Sequence, residues 1–265
     1  VFRSIRKGQI DCIEAEELAG IEFVTHAFCT RHAGVSGGGF ASLNVGDMVG
    51  DRKENVSENL NLIKEALAIP EAGLVLARQV HGDRIVEIGK NDPLPTSLSE
   101  CDGFVTARPG VALGIRTADC VPILFADRRL RVVGAVHAGW KGAALGIAAK
   151  MVDILRGRFS CHSEDIMAAI GPAIGPCCYE VGTPVFEAFS ARPHAEGVFR
   201  KRAEEGRWML DLWLASRLQL MDKGIPGDNI MTAAACTACR RDLFFSHRAA
   251  QGQDEGRQLS IIMIN

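Results

Sequence analysis

The sequence predicts an α+β fold: a single-domain layered sandwich of mixed β-sheets flanked by helices. Two observations carry this. Short β-branched and aliphatic runs outnumber amphipathic helical stretches, and they follow one another instead of alternating strictly with helices, which argues against a doubly wound parallel sheet. No linker-like stretch divides the 265 residues, so one domain over 1–265 is expected.

The elements follow in order. Residues 21–30, IEFVTHAFCT, are β-branched and aromatic enough for a strand. A glycine-rich loop, HAGVSGGGFASLNVGD, comes next. Residues 52–68 predict an amphipathic helix: Leu60, Ile63 and Leu67 recur at helical spacing, Asp51 stands where an N-cap belongs, and Pro70 stops it. Strands are expected over 74–80, 84–88, 103–107, 111–116, 121–126 and 131–137, with NDPLPTS breaking the series. HAGWKG opens a helix over 140–157. A strand over 166–170 leads into GPAIGPCCYEVG, a rigid Gly/Pro loop. Helices over 183–191 and 211–223 and strands over 242–246 and 258–264 complete the chain.

Composition bounds the function. Apolar residues make up 47% and charged residues 23%, ordinary for a soluble globular protein. A net charge of −2 supplies no basic field for nucleic acid, and RLRVV and CRRDLF read as solvated surface charge. No apolar run approaches the ~18 residues of a membrane helix. The N-terminal stretch lacks the apolar core of a secretory signal. Nine scattered cysteines, an odd number in a chain large enough to fold without staples, suit reduced thiols in the cytoplasm.

Three residues at strand–loop junctions carry the most chemistry: His81 in ARQVHGDRIV, Cys120 in RTADCVPI and His137 in GAVHAGWKG. Each has a neighbour that shapes the backbone: Gly82, Pro122, or Gly139 and Gly142. Two imidazoles and a thiolate suit Zn2+ or Cu2+, and three protein ligands leave one position open, as in catalytic zinc sites. The separations of 39 and 17 residues match no compact finger pattern. On the residues alone, packing residues and metal ligands both stay open.

The neighbours divide in the same way. Arg78 is a surface arginine or a paired donor to phosphate. Three residues from His81 on a strand, it points to the opposite face unless the chain bends. Asp119 either caps a turn or orients a ligand or substrate hydroxyl beside Cys120, which Arg116 also frames. Lys141 is solvent-facing or adds charge to an anion site at a helix N-terminus. Asn44 is a turn residue by default. Tyr179, the chain's one tyrosine, is a packing ring or a stacking surface for a base. Cys236-x-x-Cys239 is half of a zinc site or a redox pair, but no second Cys-x-x-Cys completes it, and adjacent Cys177 and Cys178 do not easily face one metal.

RQVHGDRI, CDGFVT, RTADCVPIL, VHAGWKG, AIGPAIGPCCYEVG and CTACRRDLFFSHR occur in one order. Together they resemble the YfiH-type laccase-domain family over nearly the whole chain, and the pairing of TADC with HAGW is the most specific part. The resemblance implies a zinc site made by His81, Cys120 and His137. It implies phosphorolysis of purine nucleosides at that site, with inosine, adenosine and methylthioadenosine as candidate substrates, and adenosine deamination. It also places the Asn44 loop and the loop of Tyr179 near the pocket, as substrate contacts; Arg78, Arg116, Asp119 and Lys141 are expected as further substrate contacts from their own chemistry. Purine nucleoside and phosphate are then the partners. Relatives carry polyphenol-oxidase names, and others are linked to peptidoglycan precursor editing. Seven histidines, none two residues from another, do not supply the His-x-His pairs of a multicopper oxidase. The sequence departs from the family at His247, where a tyrosine is usual, and at EGR in place of TGR, with Arg257 kept.

Overall fold

A computed structural model describes residues 1–94, 99–191, 193 and 195–265. In chain order the elements are β1 (Phe2–Lys7), β2 (Ile10–Ala15), α1 (Glu16–Ala19), β3 (Val24–Cys29), α2 (Lys53–Ala66), β4 (Leu74–Leu76) and β5 (Ile85–Ile88). The middle of the chain forms β6 (Gly103–Thr106), β7 (Ala112–Thr117), β8 (Val121–Asp127), β9 (Val132–Ala138), α3 (Trp140–Leu145), α4 (Ile147–Phe159) and β10 (Ile166–Ile170). Then come β11 (Glu180–Gly182), α5 (Thr183–Phe189), α6 (Ala195–Val198), β12 (Phe199–Lys201), β13 (Arg207–Leu210), α7 (Leu212–Asp222), β14 (Ile230–Thr232), α8 (His247–Ala250) and β15 (Gln258–Ile264).

Two six-stranded mixed sheets, ordered β1-β2-β3-β15-β7-β4 and β14-β10-β8-β9-β6-β5, pack face to face. A small sheet, β11-β13-β12, stands apart from them. The α+β layered sandwich is therefore what forms. Its layers follow from the period of two along each strand. In β8, Val121, Ile123 and Phe125 turn towards α4 and α7, whereas Leu124 and Ala126 turn towards the facing sheet. In β3 and β15, Phe28 and Ile262 enter the same inter-sheet core, and Ala27, Ile261 and Met263 turn outward onto Ile63 and Leu67 beside α2. A strand covered on both faces reads as an unbroken apolar run, which is how β8 and β9 read. At Gly134 the missing side chain is what lets a helix close on the sheet, because a Cβ there would lie 2.9 Å from Met151 Sδ.

Several expectations change. The helix expected over 140–157 is two helices, because Gly146 between α3 and α4 is left-handed, with φ of 85°. Residues 242–246 form a turn and irregular backbone, not a strand. Their apolar side chains anchor the core, with Phe244 and Phe245 buried, while the Phe245 N–H goes to Gln258 Oε1 at 2.9 Å and the Leu243 carbonyl to Arg31. Asp51 does not cap α2: Arg52 holds that position, and Asp51 instead accepts from Ser36, Asn44 and Asn55. The strand expected over 74–80 ends at Leu76. The hairpin β1–β2 and the small sheet were not anticipated. In the NDPLPTS break, residues 95–97 lie outside the described residues.

Candidate metal centre and active site

The register of β8 and β9 builds the site. These strands pair antiparallel, with Val121 opposite Ala138 and Pro122 opposite His137. Cys120, just before β8, and His137, near the end of β9, thus become neighbours despite their separation in sequence. His81 arrives from the turn after β4. Its φ is 59° and Gly82 follows, so the chain bends sharply there. The three ligand atoms all lie within 4.8 Å of one another. The His81 and His137 rings meet edge to face, with centroids 4.8 Å apart.

One buried carboxylate organises the two histidines. Asp102, fully buried at the head of β6, pairs its Oδ1 with His137 Nδ1 at 2.8 Å and accepts the N–H groups of His81 at 2.9 Å and Gly82 at 2.7 Å. With Nδ1 committed, His137 turns Nε2 to the cluster, the arrangement that fixes the tautomer of a metal-binding histidine. Burial pushes the Cys120 thiol up, but the His137 and His81 imidazoles outweigh it and bring it down to about 6. Burial pushes the His137 imidazole down, but the Cys120 sulfur and Asp102 carboxylate hold it up at about 9. Gly139 makes room: a Cβ there would lie 2.9 Å from His81 Cδ2 and 3.1 Å from Cys120 Sγ. Two imidazoles and a thiolate that readily ionises, oriented and unobstructed, fit a metal ion.

The cluster forms one wall of a cavity of about 560 Å³, a size suited to a small-molecule ligand. Of the residues singled out from sequence, Arg78, Arg116, Asp119 and Tyr179 also line it. Arg78 lies beyond the end of β4 at Leu76, and its Nη1 pairs with exposed Glu100 at 3.2 Å. Arg116 is committed to the scaffold, with Nη1 on Asp47 at 2.5 Å and Nη2 on the Ala77 carbonyl at 2.9 Å. Asp119, left-handed at φ 88°, accepts from Thr237 Oγ1 at 2.6 Å and from the Arg248 N–H at 2.7 Å. Tyr179 lies under the Arg248 guanidinium, 5.1 Å from the ring centroid, and burial pushes its phenol up.

Two residues stand elsewhere. Asn44 is fully buried and does not line the cavity; its amide donates to Asp51 and accepts from the Gly46 and Arg257 N–H groups, all at 2.8 Å, so it supports the wall from behind. Lys141 is exposed on α3, its ammonium 5.5 Å from the Trp140 ring centroid, and is absent from the cavity lining.

The cavity brings in Trp140, His247, Arg248 and Arg257 as well. His247 Nδ1 contacts Glu255 at 2.6 Å, and Arg257 Nη1 reaches the same carboxylate at 3.1 Å. Arg248 and Asp102 were missed from sequence. The one cue for Asp102 was an acid heading the apolar run CDGFVT; Arg248 offered none, since its place depends on a turn 129 residues away from Asp119.

Comparison with known proteins places this geometry. The family model described as multi-copper polyphenol oxidoreductase laccase matches residues 25–265. Purine nucleoside phosphorylase YlmD of Geobacillus stearothermophilus is 39% identical over 99% of this chain and 96% of its own length. Adenosine deaminase RL5, from an unknown prokaryotic organism, is 32% identical over 92% of this chain and 94% of its own. The crystal structure of the hypothetical protein YfiH of Bacillus licheniformis superposes with a TM-score of 0.92 at 38% identity, covering 100% of this chain and 99% of the other.

Proposed function

The chain belongs to the multi-copper polyphenol oxidoreductase laccase family, and from that membership we propose that it is a purine nucleoside phosphorylase. In this reading it takes inosine, adenosine or methylthioadenosine with phosphate and also deaminates adenosine; the names of its relatives support purine nucleoside phosphorolysis and adenosine deamination. The observation that carries the reading is the His81–Cys120–His137 cluster set in a ligand-sized cavity with arginines around it. Among the described residues the cluster has two imidazoles and the chain has seven histidines, too few for the copper set of a laccase. Any oxygen-dependent phenol oxidation is therefore expected to be slow and to need added copper.

The ion we assign to His81, Cys120 and His137 is zinc, which when bound supplies a Lewis acid at the reacting end of the cavity. Asp102 holds the proton of the neutral His137 ring on Nδ1, so that Nε2 is the nitrogen that would face the ion. Arg78 and Arg248, on the cavity wall, hold phosphate with paired donors. Trp140 and Tyr179 offer apolar ring faces to the purine. In the reaction a phosphate oxygen bonds to C1′ of the ribose as the C1′–N bond breaks. The electron pair of that bond leaves with the base, which takes up a proton, and the products are free base and ribose-1-phosphate.

Incubation with inosine or adenosine, with and without phosphate, tests this by chromatography of the released base. Release that depends on phosphate is expected, and Cys120→Ala is expected to lose base release and deamination together. No turnover of any purine nucleoside by zinc-replete protein overturns the reading. Weight then shifts to a Cys–His hydrolase acting on cell-wall precursors, with Cys120 as nucleophile and His137 as base. Coordination and attack compete for the same thiolate, so the metal content of the active protein separates the two.

A further inference from the structure

A second sulfur cluster lies outside the cavity. Cys177 and Cys178, in the Gly/Pro loop between β10 and β11, and Cys236 and Cys239, after β14, place four Sγ atoms within 4.8 Å of one another. Cys239 Sγ is 3.4 Å from Cys178 Sγ and 3.6 Å from Cys177 Sγ. Four thiolates about 2.3 Å from one tetrahedral ion stand about 3.8 Å apart, so these spacings suit a single ion and leave no room for a multi-metal cage. A disulfide needs sulfurs about 2.0 Å apart, so closing any one pair would pull it out of this arrangement.

The backbone is built to hold the four together. Ala173 and Cys236 form a parallel bridge, and the Thr237 N–H donates to the Ala173 carbonyl at 3.0 Å. The Gly175 N–H points at Cys236 Sγ from 3.2 Å, a donor that favours a thiolate there. The Arg240 N–H closes the Cys236–Arg240 turn on the Cys236 carbonyl at 2.9 Å, bringing Cys239 round to the same side. Cys177 and Cys239 are exposed, so the cluster is open to an ion from solution.

We propose that Cys177, Cys178, Cys236 and Cys239 bind a second, structural zinc ion as a four-thiolate site. Binding exchanges four S–H bonds for four S–Zn bonds and releases the thiol protons. The ion staples two loops that carry the cavity wall: Tyr179 directly follows Cys178, and Thr237, which holds Asp119, directly follows Cys236. The missing half of the Cys-x-x-Cys site is an adjacent pair from elsewhere in the chain, not a second Cys-x-x-Cys.

Elemental analysis of protein purified under reducing conditions should find about two zinc ions per chain, one for each site. Cys177→Ser/Cys239→Ser should lose one of them, and Cys120→Ala/His137→Ala the other. Only one zinc in the wild type, or two retained in Cys177→Ser/Cys239→Ser, overturns the proposal. A second measurement needs no variant: Cys177 and Cys239 should resist iodoacetamide, read by peptide mass spectrometry, until a chelator strips the metal. Immediate alkylation of these exposed thiols, or a disulfide among the four in a non-reduced digest, overturns it too.

Discussion

Asp102→Asn changes one atom and tests the whole arrangement of the metal centre. The native carboxylate serves four donors: Oδ1 takes His81 N–H and His137 Nδ1, and Oδ2 takes Gly82 N–H at 2.7 Å and Val80 N–H at 3.3 Å. Asparagine has one acceptor oxygen. If it stays on the His137 side, the new NH2 confronts the Gly82 and Val80 N–H groups. Each buried donor left unmet costs about 1–3 kcal/mol. The Val80 contact is long, so a total of about 2–4 kcal/mol follows, a large part of the 5–15 kcal/mol typical of a domain. If the amide flips, its NH2 faces His137 Nδ1, which must then accept. The ring proton moves to Nε2, the nitrogen that should face the metal, and a loss of about 10–100-fold in metal affinity is expected. Urea unfolding of the metal-free protein reads the first outcome, and zinc competition against a chromophoric chelator reads the second. Native stability together with unchanged zinc affinity would refute the account of Asp102.

Two further outcomes are expected. Gly139→Ala has no backbone penalty, since φ is −68° there, but its methyl would crowd His81 and Cys120; zinc occupancy after dialysis should fall while far-ultraviolet circular dichroism stays native, and full occupancy would contradict the geometry. His26 sets an acid limit to stability: burial pushes its imidazole down to about 4, and its Nε2 accepts the Ala15 N–H at 3.0 Å. Its folded value is depressed, so its contribution is complete above the unfolded pKa of about 6.5 and is lost as pH falls towards 4, by about 3 kcal/mol in all. Denaturant unfolding from pH 7 to pH 4 should show that slope and His26→Gln should flatten it; equal slopes would exclude His26 as its source.

Local pattern carried the layered sandwich and marked His81, Cys120 and His137 as candidates, while only the resemblance of the surrounding motifs implied that they bind a metal. β8 and β9 announce themselves because strands buried on both faces are continuously apolar, and Cys120 and His137 are polar interruptions at the ends of these runs. The edges of the fold were less legible. LFFS has strand composition but does not pair as a strand: its phenylalanines anchor the core while its backbone bonds to the Gln258 side chain and the Arg31 N–H. Only tertiary structure decided that Asp102 serves both histidines, that Asn44 stands behind the wall instead of in it, that Arg248 faces the cavity and Lys141 does not, and that Cys177 and Cys178 meet Cys236 and Cys239. The physical reason is range. Side-chain periodicity is a property of a few consecutive residues, whereas convergence depends on strand register and on left-handed turns such as those at His81 and Asp119, which bring together groups that no local spacing relates.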